Sequence, residues 1–340
     1  MSVVNRRAKV CAVVAMGCLL AGAVGCAREP MVRFGSSAEP FSIHKAALYP
    51  ETIEYDAKRG RFVLGSIREG AIYAVDGQGR ATRVIDDPRL CSVLGIAIDR
   101  ARDWLWVVDA DLGSSSKPSL AGPKHLAAVA IYELGTGKPV NYIDLAPLLA
   151  GPHLLNGLAL DATGTAYVTD SFSPAIYQVS AAGRARVFLR SAEFMGDGIN
   201  LNGLVVHPDG YLLVIKKSDG SLFRVPLADP ARFSKVNGVK VVAGDGVTLI
   251  GKNQLVVIAN QVPGFASNRA YSLSSSDGWR SASVRATYAF ENVYPTTGVL
   301  REGTLYAVYS QLNQLIQASS EQKALLRVEA TILPIGRVER

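Results

Sequence analysis

The sequence predicts an all-β protein, a six-bladed β-propeller with four-stranded antiparallel blades, on three observations. One unit recurs six times, β-branched and aromatic residues fill it, and no long amphipathic helix interrupts it. The unit is a short apolar strand, a turn rich in Asp, Gly and basic residues, and a second apolar strand.

In the first half of the chain the copies are Glu51-Thr-Ile-Glu-Tyr-Asp with Arg61-Phe-Val-Leu-Gly-Ser, Leu94-Gly-Ile-Ala-Ile-Asp with Trp104-Leu-Trp-Val-Val-Asp, and Asn156-Gly-Leu-Ala-Leu-Asp with Ala166-Tyr-Val-Thr-Asp. In the second half they are Asn202-Gly-Leu-Val-Val-His with Tyr211-Leu-Leu-Val-Ile-Lys, Asp245-Gly-Val-Thr-Leu-Ile with Leu255-Val-Val-Ile-Ala-Asn, and Thr297-Gly-Val-Leu with Leu305-Tyr-Ala-Val-Tyr-Ser. A spacing of roughly forty to sixty residues leaves room for four short strands per copy. Third strands are visible in Gly70-Ala-Ile-Tyr-Ala-Val, Ala175-Ile-Tyr-Gln-Val and Ser221-Leu-Phe-Arg-Val. A parallel α/β fold is disfavoured because the best helix candidate, around Leu315 to Leu326, is short.

Composition supports an ordered globular body: of 340 residues 49% are hydrophobic and 19% charged, and 32 glycines suit many tight turns. The formal charge is +7, but Arg6, Arg7 and Lys9 stand in an N-terminal stretch without acidic residues. Without them the charge is about +4. No basic run with interleaved aromatics is present, so no nucleic-acid partner is expected.

Residues 1–25 read as a signal peptide, with a charged start, an apolar stretch from Val10 to Leu20 and small residues before Cys26. Ala23-Val24-Gly25-Cys26 resembles the bacterial lipobox, which implies cleavage before Cys26, lipidation of its sulfur, and a monomer held on a membrane of the bacterial cell envelope, facing the periplasm or exterior. An ordinary signal peptide or an uncleaved anchor is the plainer alternative. Residues 26–40 are expected to form a lipidated tether, although Met31-Val-Arg-Phe could instead close the ring as a strand, and 41–340 to form the propeller. Cys11 and Cys18 would leave with the leader, so Cys91 stands alone as inert core and no structural disulfide is expected. The insertion from Asp111 to Pro123 lengthens the second copy and is expected to lie over one face.

In a propeller the innermost strands border one axis, so the first residue of each copy should form a ring: Glu51, Leu94, Asn156, Asn202, Asp245 and Thr297. Glu51, Asn156, Asn202 and Asp245 carry the oxygen ligands that a hard divalent cation such as calcium requires. Two carboxylates facing each other also call for a proton or a cation between them. A plainer reading takes Asn-Gly and Asp-Gly as turn dipeptides at strand starts. The ends of the second strands predict another ring, Ser66, Asp109, Asp170, Lys216, Asn260 and Ser310, whose polar side chains would surround a substrate. Lys216-Lys217 also reads as a solvated pair, and His153, three residues before Asn156, as either a base or a loop histidine.

At these residues the chain resembles the six-bladed family of senescence marker protein, gluconolactonase and luciferin-regenerating enzyme, and the paraoxonases related to it in fold. Pro50-Glu51, Leu155-Asn156-Gly157, Leu201-Asn202-Gly203 and Gly244-Asp245-Gly246 carry the resemblance. It implies a catalytic Ca2+ held by Glu51, Asn156, Asn202 and Asp245, and at Asp170 a carboxylate that supports the metal site or transfers a proton; the plainer reading of Asp170 is a turn-capping residue. The chain departs from the pattern at Leu94, where gluconolactonases offer a polar residue, and at Gly246, where paraoxonases have another asparagine.

The activity implied is metal-assisted hydrolysis of a lactone or ester, the cation polarising the carbonyl while Asp170 or His153 helps a water attack. No Gly-x-Ser-x-Gly elbow and no zinc pattern is present. The rival expectation is a membrane-tethered propeller that binds a ligand or protein and keeps the metal as a structural pin.

Overall fold

The computed structural model describes residues 30–339 apart from 37, 118 and 292; the leader and Cys26 lie outside the described residues. Six antiparallel sheets follow one another along the chain. Their inner strands are Pro50–Asp56, Ser92–Asp99, Leu155–Leu160, Leu201–His207, Gly244–Gly251 and Pro295–Arg301. Blades one to five each hold four strands in up-and-down order, the pattern that short turns between alternating apolar runs dictate.

Blade six joins the two ends of the chain. The C-terminal strand Glu329–Glu339 pairs with Thr304–Tyr309 on one side and with Met31–Phe34 on the other, Val32 opposite Val338. Phe41–Ala46 pairs with the other end of the same strand. Met31–Phe34 is thus a closing strand, and the propeller begins ten residues before residue 41, within the stretch expected as tether.

The core is a series of apolar layers between neighbouring sheets, built from second- and third-strand residues such as Leu64, Trp106, Val168, Leu213 and Val257. Cys91 is buried, and burial pushes its thiol up to about 12, which suits an inert core position.

The helical segment lies where the sequence placed its single candidate, as two short helices, α1 (Leu312–Gln317) and α2 (Ser320–Leu325). Ser319 opens α2 with a capping box, its hydroxyl accepting from the Gln322 N–H while the Gln322 side chain accepts from the Ser319 N–H. Leu312 and Leu315 of α1 belong to one apolar cluster with Tyr49, Ile67, Leu94, Leu154 and Tyr294, which stand around the starts of the inner strands. Lys323 donates to the Gly113 carbonyl and so fastens α2 to the insertion of blade two. The pair of helices therefore closes the end of the propeller at which the inner strands begin. Among the described residues no helix is long and apolar enough to cross a membrane.

Candidate functional site

Each inner strand pairs with its neighbour out of step at the ring residue. Register shifts between Pro50 and Ile53, Val93 and Gly95, Leu155 and Leu158, Leu201 and Leu204, Gly244 and Val247, and Pro295 and Thr297. A bulge re-aims the residue it contains, here away from the ladder and toward the axis. By this register the sixth ring residue is Thr296; Thr297, the one expected, stands at the position that glycine holds in blades two to five.

Those glycines are strand residues rather than turn residues. A Cβ on Gly157 would stand 2.5 Å from the Asn202 carbonyl oxygen, and one on Gly203 2.3 Å from that of Asp245. Gly95 faces the Asn156 carbonyl in the same way. The ring residues converge because the backbones beside them approach more closely than a side chain would permit.

Glu51, Asn156, Asn202, Asp245 and Thr296 line one axial cavity of about 340 Å³ with Leu94. The ring end is buried, with Asn156 at 5% and Asp245 at 2% exposure, whereas Glu54, Leu160, Val206 and Leu249 farther along are half-buried and Arg100 is exposed. The cavity is therefore a funnel with a polar blind end under α1, mostly aliphatic walls and a mouth flanked by Glu54 and Arg100.

Two oxygens in the blind end have no hydrogen-bond partner, Glu51 Oε2 and Thr296 Oγ1. Burial first, and the Asp245 charge second, push the Glu51 carboxyl well above the usual carboxylate range, with Lys217 opposing them. Asp245 is paired with a residue absent from both predicted rings. Lys217 Nζ lies 2.9 Å from Asp245 Oδ2, donates also to Asn260 Oδ1, and sits 5.8 Å from the Tyr294 ring centre. Asn260 Nδ2 donates to the same Asp245 oxygen and to the Pro295 carbonyl. Burial would depress the Lys217 ammonium, but the Asp245 carboxylate beside it leads the influences that oppose this, and the group is raised. The solvated Lys216-Lys217 pair is thereby corrected: both side chains are buried.

The second predicted ring does not line the cavity. Its side chains pin the segments that lead into the inner strands. Ser66 donates to the Leu48 carbonyl, and Asp109 accepts from the N–H groups of Cys91 and Ser92 and from Tyr142, with burial raising its carboxyl to about 7. Lys216 donates to the carbonyls of Glu193 and Met195, and Ser310 to that of Pro50. Asp170 accepts from the N–H groups of Leu154, Phe172 and Ser173, and its other oxygen meets His153 Nδ1 at 2.7 Å. His153 Nε2 lies 2.8 Å from the Leu149 carbonyl, so both ring nitrogens face acceptors, and the Asp170 bond raises the imidazole. Both residues are buried away from the cavity.

Apart from Asn260, which donates to Asp245 as a member of the predicted second ring, the side chains that reach the first ring stand one residue later than those predicted. Ser171 accepts from the Asn156 amide, and Lys217 meets Asp245. Successive strand residues point to opposite sides, so a reading set one position early selects the pins and misses the partners. The available signal was chemical: Glu51 and Asp245 needed a cation, and Lys217 follows a strand that ends beside them.

The ring fits a calcium ion poorly. One oxygen of Asp245 is already engaged by an ammonium and an amide. A divalent ion on Asp245 would adjoin that buried ammonium, and two cations so close in a site shielded from water repel strongly. The orphaned oxygens of Glu51 and Thr296 are better matched to a hydrogen-bonding partner than to an ion.

No family model and no curated protein sequence matches the chain. Solved structures do. The allergen Mala s 1 of Malassezia sympodialis superposes with a TM-score of 0.68 at 18% identity, covering 88% of this chain and 96% of that one. Luciferin-regenerating enzyme gives 0.58 at 13%, covering 88% and 97%, and a protein assigned as a gluconolactonase gives 0.57 at 14%, covering 92% and 99%. At these identities the likeness establishes the six-bladed fold.

Proposed function

We propose that the axial cavity binds and hydrolyses a small lactone or ester carrying an apolar tail. The observation that carries this reading is the convergence of Glu51, Asn202, Asp245 and Thr296, with two unpartnered oxygens among them, at the blind end of an aliphatic funnel. The tail lies along the walls toward Arg100, and the reacting carbonyl meets the ring.

The chemistry follows from a pair of carboxyls in unlike environments. Asp245, paired with Lys217, serves as the base, and Glu51, its carboxyl raised well above the usual carboxylate range, serves as the acid. A water oxygen bonds to the carbonyl carbon as its proton passes to Asp245, and the Glu51 proton goes to the carbonyl oxygen. Collapse breaks the carbon–oxygen bond; the departing alcohol oxygen takes the proton from Asp245, and Glu51 regains its own. Asn202, which lines the same cavity, would donate to the oxygen on which charge grows. The solved neighbours that include a luciferin-regenerating enzyme and a gluconolactonase are consistent with a small-molecule substrate. Lipidation at Cys26 would hold the funnel at a membrane surface, where apolar-tailed esters partition.

The test is a panel of lactones and esters of increasing tail length, with and without chelator. Turnover that rises with tail length and is abolished in Glu51→Gln, the fold intact by circular dichroism, supports the proposal. A protein that binds such compounds without turning any of them over is instead a ligand-binding propeller.

A further inference from the structure

Calcium-dependent propellers neutralise axial carboxylates with a metal, and here a covalently attached cation stands in that role. Lys217 Nζ is in contact with Asp245 Oδ2, shares Asn260 with it, and lies against the Tyr294 ring, with the side chain buried. The group is reached from three blades: Lys217 follows the second strand of blade four, Asp245 and Asn260 belong to blade five, and the Pro295 carbonyl that receives the Asn260 amide opens blade six. Backbone bonds fix its place, since the Lys217 N–H donates to the Asn200 carbonyl and the Ala243 N–H to that of Lys217. No rotation of a loop is needed to bring the ammonium to the axis; it is built in.

We infer that Lys217 is the resident cation of the axial site and that it makes the site independent of divalent metal. The charge count agrees. With one proton on the Glu51–Asp245 pair, a single ammonium neutralises the ring, whereas a divalent ion added to it would leave an excess of positive charge in a buried place. Metal selectivity at this position is thereby set by one side chain: its removal should convert the ring into a site for a hard cation, because Glu51, Asp245 and the amides of Asn156 and Asn202 would then be left without a positive partner.

This inference does not depend on turnover, so its experiment reads binding and stability. The purified chain, stripped with EDTA, is titrated with calcium chloride and followed by calorimetry and thermal unfolding, beside Lys217→Met. For the native chain the expected result is no heat of binding and an unchanged midpoint. For Lys217→Met a midpoint lowered in EDTA should recover on the order of 5 °C in saturating calcium. Should that variant fail to fold, Lys217→Met/Asp245→Asn removes both charges and should fold without responding to calcium. Stoichiometric calcium in the native chain, with a midpoint that falls on chelation, would overturn the inference, as would a folded Lys217→Met indifferent to calcium. Loss of the hydrolytic reading alone would leave all of these outcomes unchanged.

Discussion

Gly157 and Asn202 meet across two blades: a Cβ on Gly157 would stand 2.5 Å from the Asn202 carbonyl oxygen. Real Cβ atoms do not approach backbone oxygen so closely, and the opposing atom is main chain, so an alanine there must push one inner strand away from the next. Gly157→Ala is expected to cost about 2–4 kcal/mol, in the range of overpacking and lost backbone register. Gly203→Ala, whose Cβ would stand 2.3 Å from the Asp245 carbonyl, should cost at least as much. Urea unfolding of the two variants checks this, with Gly210→Ala as contrast. The space at Gly210 is open, but its positive φ adds strain, so a smaller loss of about 1 kcal/mol is expected there. Equal losses at all three positions would refute the packing account.

The repeat was legible because propeller blades announce themselves by period and by turn chemistry, and the four oxygen-bearing ring residues were legible because they recur at one place in that period. What the glycine in each Asn-Gly or Asp-Gly does was not, since a turn and a close backbone approach ask for the same residue. The slip that makes Thr296 rather than Thr297 the sixth ring member is a pairing property, invisible without the partner strand. Lys217 was missed for a related reason: two consecutive lysines look solvated, and only the facing strand shows one turned to Asp245 and the other to the Glu193 and Met195 carbonyls. The closure of the ring face by α1 also inverted the expected approach, since the polar second ring lies beneath that cover while the cavity opens past Glu54 and Arg100.

Glu51→Gln keeps the shape of the side chain and removes the acid. Turnover on the best ester is expected to fall by roughly 10²–10⁴, the usual worth of a positioned general acid. The unfolding midpoint should hold or rise, because a buried carboxyl facing Asp245 is replaced by a neutral amide. Asp245→Asn is the contrasting case. It strands the buried Lys217 ammonium, so stability should fall by about 3–5 kcal/mol along with activity. A Glu51→Gln variant of full activity would remove Glu51 from the mechanism.

Glu54, at the mouth of the funnel, has its carboxyl raised by burial to about 7, with Arg100 opposing the shift. A carboxyl raised in the folded state holds its proton where the unfolded chain has lost it, so its contribution to stability is complete below about pH 4.3 and disappears as pH rises toward 7. Because the side chain is half exposed to the lumen, the effect should be about 1–2 kcal/mol rather than the full value of the shift. Stability of the native chain should therefore decline over that window relative to Glu54→Gln. Parallel pH profiles for the two proteins would show that Glu54 titrates as an ordinary surface carboxylate.

His153 and Asp170 test the opposite end of the pH range. Asp170 receives three backbone N–H groups and the His153 ring, and the imidazole presents its second nitrogen to the Leu149 carbonyl, so only the doubly protonated ring satisfies both acceptors. The Asp170 bond raises His153 above its ordinary value, which means that its stabilising share is whole below about pH 6.5 and is lost as pH rises through the higher folded value. Asp170→Ala should cost about 3–5 kcal/mol near neutrality, because it orphans the loop N–H groups and the imidazolium together. His153→Gln should cost less and should flatten the alkaline decline while leaving the acidic window of Glu54 untouched. Denaturation midpoints measured across both windows separate the two groups. A strictly catalytic pair would instead lose turnover in Asp170→Asn and His153→Gln while the unfolding midpoints stayed with the native chain.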